Sequence, residues 1–173
     1  MNLLLHICCG PCASYPVKFL KENDICFDGL YYNPNIQPID EFIRRKENVK
    51  ILSEIEGFDV HYNDLFLQDV WENYVASTDS RCEMCYRLRI DYTAKFAKEN
   101  GFDAFSTTLL ISPYQDHELI KKISEEKAKK YGIDFYYHDF RPNYREGQNL
   151  ARQHGLYRQK YCGCICSLNG NGK

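Results

Sequence analysis

The chain of 173 residues contains no apolar run near the roughly 18 residues that a membrane helix needs. Its start, "MNLLLHI", lacks the basic n-region of a secretory signal, and charges follow soon after in "PVKFL". These absences place the expected protein in the cytoplasm, where thiols stay reduced. A strong excess of either charge is also missing: 22 Lys and Arg stand against 24 Asp and Glu. That excludes a surface given over wholesale to polyanions, though not a local basic patch. There is no phosphate loop of the G-x-x-x-x-G-K-[ST] type, no internal repeat and no linker-like stretch. Tryptophan occurs once, against 14 tyrosines.

Cysteine is what the chain has in excess. There are nine: Cys8, Cys9, Cys12, Cys26, Cys82, Cys85, Cys162, Cys164 and Cys166. An odd, high count in a reducing compartment does not read as a disulfide framework, so it points to metal or redox chemistry.

Apolar and polar stretches alternate in a regular order. "NLLLHI" reads as a first strand and "CCGPCAS" as a turn. "SYPVKFLKEN" reads as a helix with Ser14 near its N-cap. "DICFDGLYYN" and "FDVHYN" read as strands flanking the helix "IDEFIRRKENVKILSEIEG". "LFLQDVWENYVA" and "CEMCYRLRIDYTAKFAKENG" are expected helices, and "FDAFSTTLL" a fourth strand. "QDHELIKKISEEKAKKYG" reads as a helix opening at Gln115 and Asp116, before a fifth strand, "IDFYYHDF". The β-α-β-α-β beginning predicts a parallel α/β sheet, Rossmann-like, covered by helices in three layers. The expectation is one domain: a core over 1–140, a basic, cysteine-bearing appendage over 141–167, and a frayed tail over 168–173.

The thiols fall into three groups with Cys26 apart, read as core packing in the second strand. Cys8, Cys9 and Cys12 follow the first strand, on the edge where a parallel sheet gathers its ligands. Cys82 and Cys85 form a C-x-x-C at a helix start, where free N–H groups favour thiolates. Two cysteines from each of two groups would make a four-thiolate site, suited to zinc or to an iron–sulfur cluster. Adjacent residues of an extended strand point to opposite sides, so spacing alone selects Cys9 and Cys12 from the first group. In "YCGCICS", Cys162 and Cys164 could close a strained, reducible disulfide or ligate a second metal. Cys166 is the least necessary of the three.

The tract from Arg141 to Tyr161 carries Arg141, Arg145, Arg152, Arg158 and Lys160 against the single acid Glu146, interleaved with Tyr144, Tyr157 and Tyr161. Basic side chains neutralise phosphates and aromatics stack on splayed-out bases, so the tract is a candidate RNA-binding surface; a solvated basic helix would look the same. "YYNPNIQP" and "STTLLISPYQ" follow strands and could line a pocket. His6, His61 and Asp64 are candidates for polar roles, whereas His117 and His154 read as surface residues.

Five blocks, "LLLHICCGPCAS", "YYNPNIQPIDEFIRRKE", "RCEMCYRLR", "STTLLISPYQ" and "YRQKYCGCICS", together resemble the QueH family of epoxyqueuosine reductases, in order from Leu3 to Ser167. The resemblance implies an oxidoreductase acting in tRNA processing. Its reaction is the last step of queuosine biosynthesis, the reduction of the epoxide of epoxyqueuosine at the wobble position of the anticodon to a cyclopentene. It implies a [4Fe–4S] cluster, no cobalamin, a tRNA substrate and an external electron donor. The family's ligand pattern falls on Cys8, Cys9, Cys82 and Cys85, and its redox-active C-G-C pair on Cys162 and Cys164. The resemblance also implies an additional iron, for which Cys12 and Asp64 are the candidate ligands. Arg141, Arg145, Arg152, Arg158, Lys160, Tyr157 and Tyr161 are the candidate tRNA contacts.

Two rivals share parts of this pattern. An adenylating tRNA-modifying enzyme of the PP-loop (HUP-like) type begins with a similar strand, loop and helix. Here, however, Cys8 and Cys9 stand where its small phosphate-binding residues belong, so ATP is not expected. A zinc-bearing RNA-binding module would use the same thiols without redox chemistry.

Overall fold

Leu3, Leu4 and Leu5 are all fully buried, which a strand achieves only when both faces of its sheet are covered. In the computed structural model, which describes residues 1–74 and 80–169, they lie in the central strand of a five-stranded, all-parallel sheet. The strands are β1 (Asn2–His6), β2 (Cys26–Tyr32), β3 (Val60–Asn63), β4 (Ala104–Thr107) and β5 (Asp134–Phe135). Their order is β3-β2-β1-β4-β5. Among the described residues the α-helices are α1 (Gly10–Glu22), α2 (Ile39–Glu56), α3 (Gln68–Glu72), α4 (Arg81–Glu99), α5 (His117–Tyr131), α6 (Tyr144–Gln153) and α7 (Ile165–Leu168).

Strand alternation divides the core in two. Leu3 and Leu5 pack with Ala13, Val17 and Leu20 of α1, Phe42, Val49 and Leu52 of α2, and Ala151 of α6. Leu4 packs on the opposite face with Ile90 and Ala94 of α4 and Ile120 and Ile123 of α5. The result is the expected three-layer α/β core. Because the order runs outward from β1 in both directions, the crevice at the carboxyl ends of β1 and β4 is the topological switch point, where such sheets bind ligands.

Several sequence expectations need correction. The first helix begins at Gly10 rather than near Ser14: Cys9 is the N-cap, its Sγ accepting from the Cys12 N–H, and Pro11 sits where a missing donor is harmless. Ser14 instead donates its hydroxyl to the Gly10 carbonyl. The fifth strand is two residues long; beyond Phe135 the aromatic run leaves the sheet edge, and His138 stacks on Phe19 with centroids 4.2 Å apart. Of "LFLQDVWENYVA" only Gln68–Glu72 is helical, and its last two residues lie outside the described residues. Cys26, expected in the core, is exposed at the start of β2. His117, expected on the surface, is buried with its Nε2 2.9 Å from the Tyr137 hydroxyl. Leu168 closes α7, and the rest of the expected frayed tail, 170–173, lies outside the described residues. No helix among the described residues is long and apolar enough to cross a membrane.

Candidate thiol-rich metal centre

The first thiol group is set by where β1 stops. His6 ends the strand fully buried, its ring nitrogens meeting Thr107 Oγ1 at 2.9 Å, the Tyr32 carbonyl at 3.0 Å and Asn33 Oδ1 at 3.1 Å. Burial pushes its pKa down to about 4, so it is a neutral hydrogen-bonding post. Past it Ile7 still donates its N–H to the Leu30 carbonyl at 2.9 Å and Cys9 keeps an extended backbone as the N-cap of α1, yet the Cys8 and Cys9 thiols do not point apart. Their sulfurs lie 3.9 Å apart. The Sγ atoms of Cys8, Cys9 and Cys12 all lie within 4.8 Å of one another, so all three members of the group converge, not two. A tetrahedral metal with 2.3 Å sulfur bonds spaces its ligands about 3.8 Å apart, close to this separation.

The three thiols shift one another in opposite directions. Hydrogen bonds from Cys12 and Cys9 hold the Cys8 thiol well below its ordinary value, helped by the Thr108 hydroxyl at 3.4 Å. Burial pushes Cys9 up, and Cys12 is pushed up by the hydrogen bond it gives Cys8. Gln159 closes the group from the C-terminal segment, its Nε2 2.9 Å from Cys9 Sγ and 3.7 Å from Cys12 Sγ.

Cys82 and Cys85 lie in the first turn of α4, capped by Ser80, whose Oγ accepts from the Glu83 N–H. Arg89, one turn further on, is buried and donates to Cys85 Sγ at 3.0 Å. Burial works against its charge, and the neighbouring Cys85 and Cys8 sulfurs more than offset that. Burial pushes the Cys85 thiol itself up to about 11.

Cys162 and Cys164 ride on a segment anchored to α2 and to the loop before it. Arg45 donates to the Cys162 carbonyl at 3.0 Å and the Tyr161 carbonyl at 2.8 Å. Gln37 donates its N–H to the Gly163 carbonyl at 2.8 Å and accepts the Ile165 N–H at 2.9 Å. The Tyr161 hydroxyl donates to the Gln37 carbonyl. Burial raises Cys164 to about 11, and all nine cysteines are free thiols.

Two adjoining cavities join the three groups. The larger, about 370 Å³, is lined by Cys8, Cys12 and Cys162 with Tyr114, Tyr144, Arg158, Gln159 and Lys160. The smaller, about 30 Å³, is lined by Cys82, Cys85, Cys162 and Cys164 with Trp71 and Arg81. Arg89, Gln115 and Cys162 line both. The donor set is soft, largely buried and balanced by cations, which suits thiolate-bound zinc or iron–sulfur.

The other sequence candidates divide between the large cavity and positions away from it. Asp64 is exposed, pairs with Lys46 at 2.7 Å, and faces a groove beside α2 rather than Cys12. Of the basic tract, Arg158 and Lys160 line the large cavity. Arg141 pairs with Asp139, Arg152 bonds Asn149, and Arg145 is exposed. Tyr157 donates to the Glu41 carboxylate, and Tyr161 lines the large cavity beneath the Arg45 guanidinium. His61 bonds Asp28 at 3.0 Å and His154 lies 3.2 Å from Glu56, both away from the thiols. Cys166 donates to the Trp71 carbonyl. Sequence reading missed Arg89, Gln159, Arg45 and Trp71. Only Arg89 carried a signal, four residues after Cys85 and so on the same helix face.

Comparison with known proteins accords with this picture. The family model described as "Epoxyqueuosine reductase QueH" matches residues 3–170. A curated protein of that name from Dehalococcoides mccartyi is 36% identical over 167 residues, covering 96% of this chain and 92% of the relative. One from Thermotoga maritima is 34% identical over 177 residues, covering 96% and 90%. Among solved structures, a deacetylase in complex with teicoplanin aligns with a TM-score of 0.52 at 9% identity, covering 89% of this chain and 86% of that one. That likeness shows a shared α/β fold alone.

Proposed function

This chain belongs to the epoxyqueuosine reductase QueH family, and we propose that the thiol-lined crevice between β1 and β4 is where it reduces epoxyqueuosine in tRNA to queuosine. The supporting observation is convergence. Thiols from the loop after β1, the first turn of α4 and the C-terminal segment surround two cavities that share Cys162 and Arg89. The reaction is reductive, and zinc has no redox chemistry, so the sulfur-rich donor set is assigned to an iron–sulfur cluster. Cys8, Cys9, Cys82 and Cys85 are its proposed ligands. A [4Fe–4S] cluster held there supplies single-electron transfer.

Removing an epoxide oxygen as water consumes two electrons and two protons and leaves an alkene. A dithiol that closes to a disulfide releases that number of each, and Cys162 and Cys164 are proposed as this pair. The Cys164 thiol, pushed up to about 11, keeps its proton at neutral pH until it is needed. An external donor then reopens the disulfide. Cys12, facing the large cavity beside Gln159, is left for substrate or for an additional iron. Arg158 and Lys160 at that cavity are proposed to hold the tRNA backbone, and Tyr114 and Tyr144, 6.0 Å apart and edge-on, to flank the extruded base.

The test is protein purified without oxygen, assayed for iron, sulfide and deoxygenation of epoxyqueuosine-bearing tRNA. Cys82→Ser should lose cluster absorbance and activity together. Replacing both Cys162 and Cys164 by Ser should keep the cluster and abolish multiple turnover. Zinc without iron in the active protein would overturn the cluster assignment, and unchanged multiple turnover would remove the dithiol role.

A further inference from the structure

The small cavity beside α4 holds unsatisfied N–H donors as well as sulfur. Trp71 of α3 is 0% exposed, lines this cavity, and its indole Nε1–H has no hydrogen-bond partner among the described residues. The ring packs against Cys85, Ile165 and Cys166, with Met84 and Cys164 at its margin, so its surroundings are rich in sulfur. Arg81 lines the same cavity, and its buried Nε–H also lacks a partner among the described residues. Buried donors are satisfied almost everywhere in folded proteins, so two in one cavity require an explanation. At about 30 Å³ the space matches the share of one water. Cys82, Cys85, Cys162 and Cys164 share its other walls with Asn35, Tyr86, Arg89 and Gln115, and the buried Asn35 Oδ1 also has no partner among the described residues.

We propose that Trp71 Nε1–H and Arg81 Nε–H donate hydrogen bonds to sulfur on the Cys82/Cys85 side of the iron–sulfur centre and thereby raise its reduction potential. The inference rests on the iron–sulfur assignment above. A donor aimed at cluster or thiolate sulfur favours the reduced, more negative state. Arg89, which lines the same cavity, already supplies a buried charge to Cys85 through its 3.0 Å bond to that sulfur. The neutral indole adds a directional bond without charge, and the Arg81 guanidinium adds a second cation.

The chain's single tryptophan makes a clean test possible. Incorporating benzothienylalanine in its place keeps the ring shape and changes the N–H to sulfur at Trp71 alone. Redox titration of the anaerobically purified protein, followed by absorbance and electron paramagnetic resonance, should show a lower midpoint potential. The expected effect is roughly a tenfold drop in the reduced-to-oxidised ratio at a fixed poise, about 59 mV for one electron, with iron and sulfide content unchanged. Arg81→Lys, which keeps the charge and moves the donor, should shift the midpoint in the same direction. Full cluster content with an unmoved midpoint in both variants overturns the inference and leaves the cluster assignment standing; a donor that only held a water would give this result. Wild-type protein without iron and sulfide overturns the assignment and the inference with it.

Discussion

Replacing Arg45 by Gln should detach the Cys162–Cys164 segment from the body of the protein. The Arg45 side chain is only 3% exposed and makes three bonds. Its Nε donates to Glu41 at 2.9 Å, Nη1 to the Cys162 carbonyl at 3.0 Å and Nη2 to the Tyr161 carbonyl at 2.8 Å. Breaking a buried ion pair from one side costs about 3–5 kcal/mol, because the remaining charge stays desolvated. Glu41 keeps the Tyr157 hydroxyl at 3.1 Å, which moderates that penalty. Each abandoned carbonyl adds about 1 kcal/mol, and a glutamine can recover one of them. The net expectation is a loss of about 3 kcal/mol. With a urea slope near 2 kcal/mol/M, the midpoint falls by about 1.5 M. The assay is urea unfolding of the metal-free, reduced protein, paired with alkylation rates of Cys162 and Cys164 in the folded state, which should rise. A loss below about 1 kcal/mol with unchanged alkylation would refute the claim that Arg45 clamps this segment. Arg45→Lys should restore only the Glu41 pairing, and so recover part of the stability but little of the thiol protection.

Three further outcomes follow from the same structure. Asp91 ties α4 to α5 through Lys127 and Lys130, each at 2.8 Å, and the Tyr131 hydroxyl at 2.9 Å. Burial opposes its charge, but these partners outweigh it and hold the carboxyl at about 2. The folded value lies below the unfolded one, so the stabilisation is full above about pH 4 and is lost as pH falls toward 2. Asp91→Asn should therefore cost about 1 kcal/mol at pH 7 after allowing for screening, and the gap to wild type in urea unfolding should close across that acid window. Gly163 sits at φ +117°, and a Cβ there would come within 3.0 Å of Arg45 Nη1 and 3.1 Å of Ile36 Cγ1. Gly163→Ala should lose about 1–3 kcal/mol in thermal or urea unfolding, and an unchanged midpoint would count against the strain. Cys26→Ser, at an exposed position, should leave stability within about 0.5 kcal/mol and iron content unaltered.

The elements that sequence reading placed well are those whose local pattern and tertiary environment agree. Leu3 to Leu5 form an apolar run because the central strand is covered on both faces. Asp116 starts α5, as the pattern of the stretch suggested, because its carboxylate caps the Leu119 N–H. The misplaced elements depend on distant partners. "IDFYYHDF" has the composition of a full strand, yet it pairs only with β4, and its His138 and Phe140 rings pack on Phe19 of α1 instead. Cys26 resembles a core residue in composition, but it lies at the outer end of β2, paired in register with the exposed Asn2.

The thiol site shows the same division. Grouping by proximity in sequence identifies the three sets of cysteines, because each set occupies one turn or one loop. Whether Cys8 and Cys9 face the same way depends on where β1 ends, and that end is set by His6, held through Thr107 of β4 and Asn33 after β2. No spacing rule applied to "HICCGPC" contains those partners. Asp64 and Cys12, the candidate ligands of an additional iron, both follow strands at the same sheet edge. The edge is real, but it is broad. Asp64 follows β3, two strands from the switch point, where Lys46 of α2 is its nearest opposite charge. Strand order therefore decides which edge residues can cooperate: residues after β1 and β4 meet in the crevice, and the first turn of α4 and the C-terminal segment close over it. Local pattern reveals which side chains have the chemistry. Only the permutation β3-β2-β1-β4-β5 reveals which of them share a crevice.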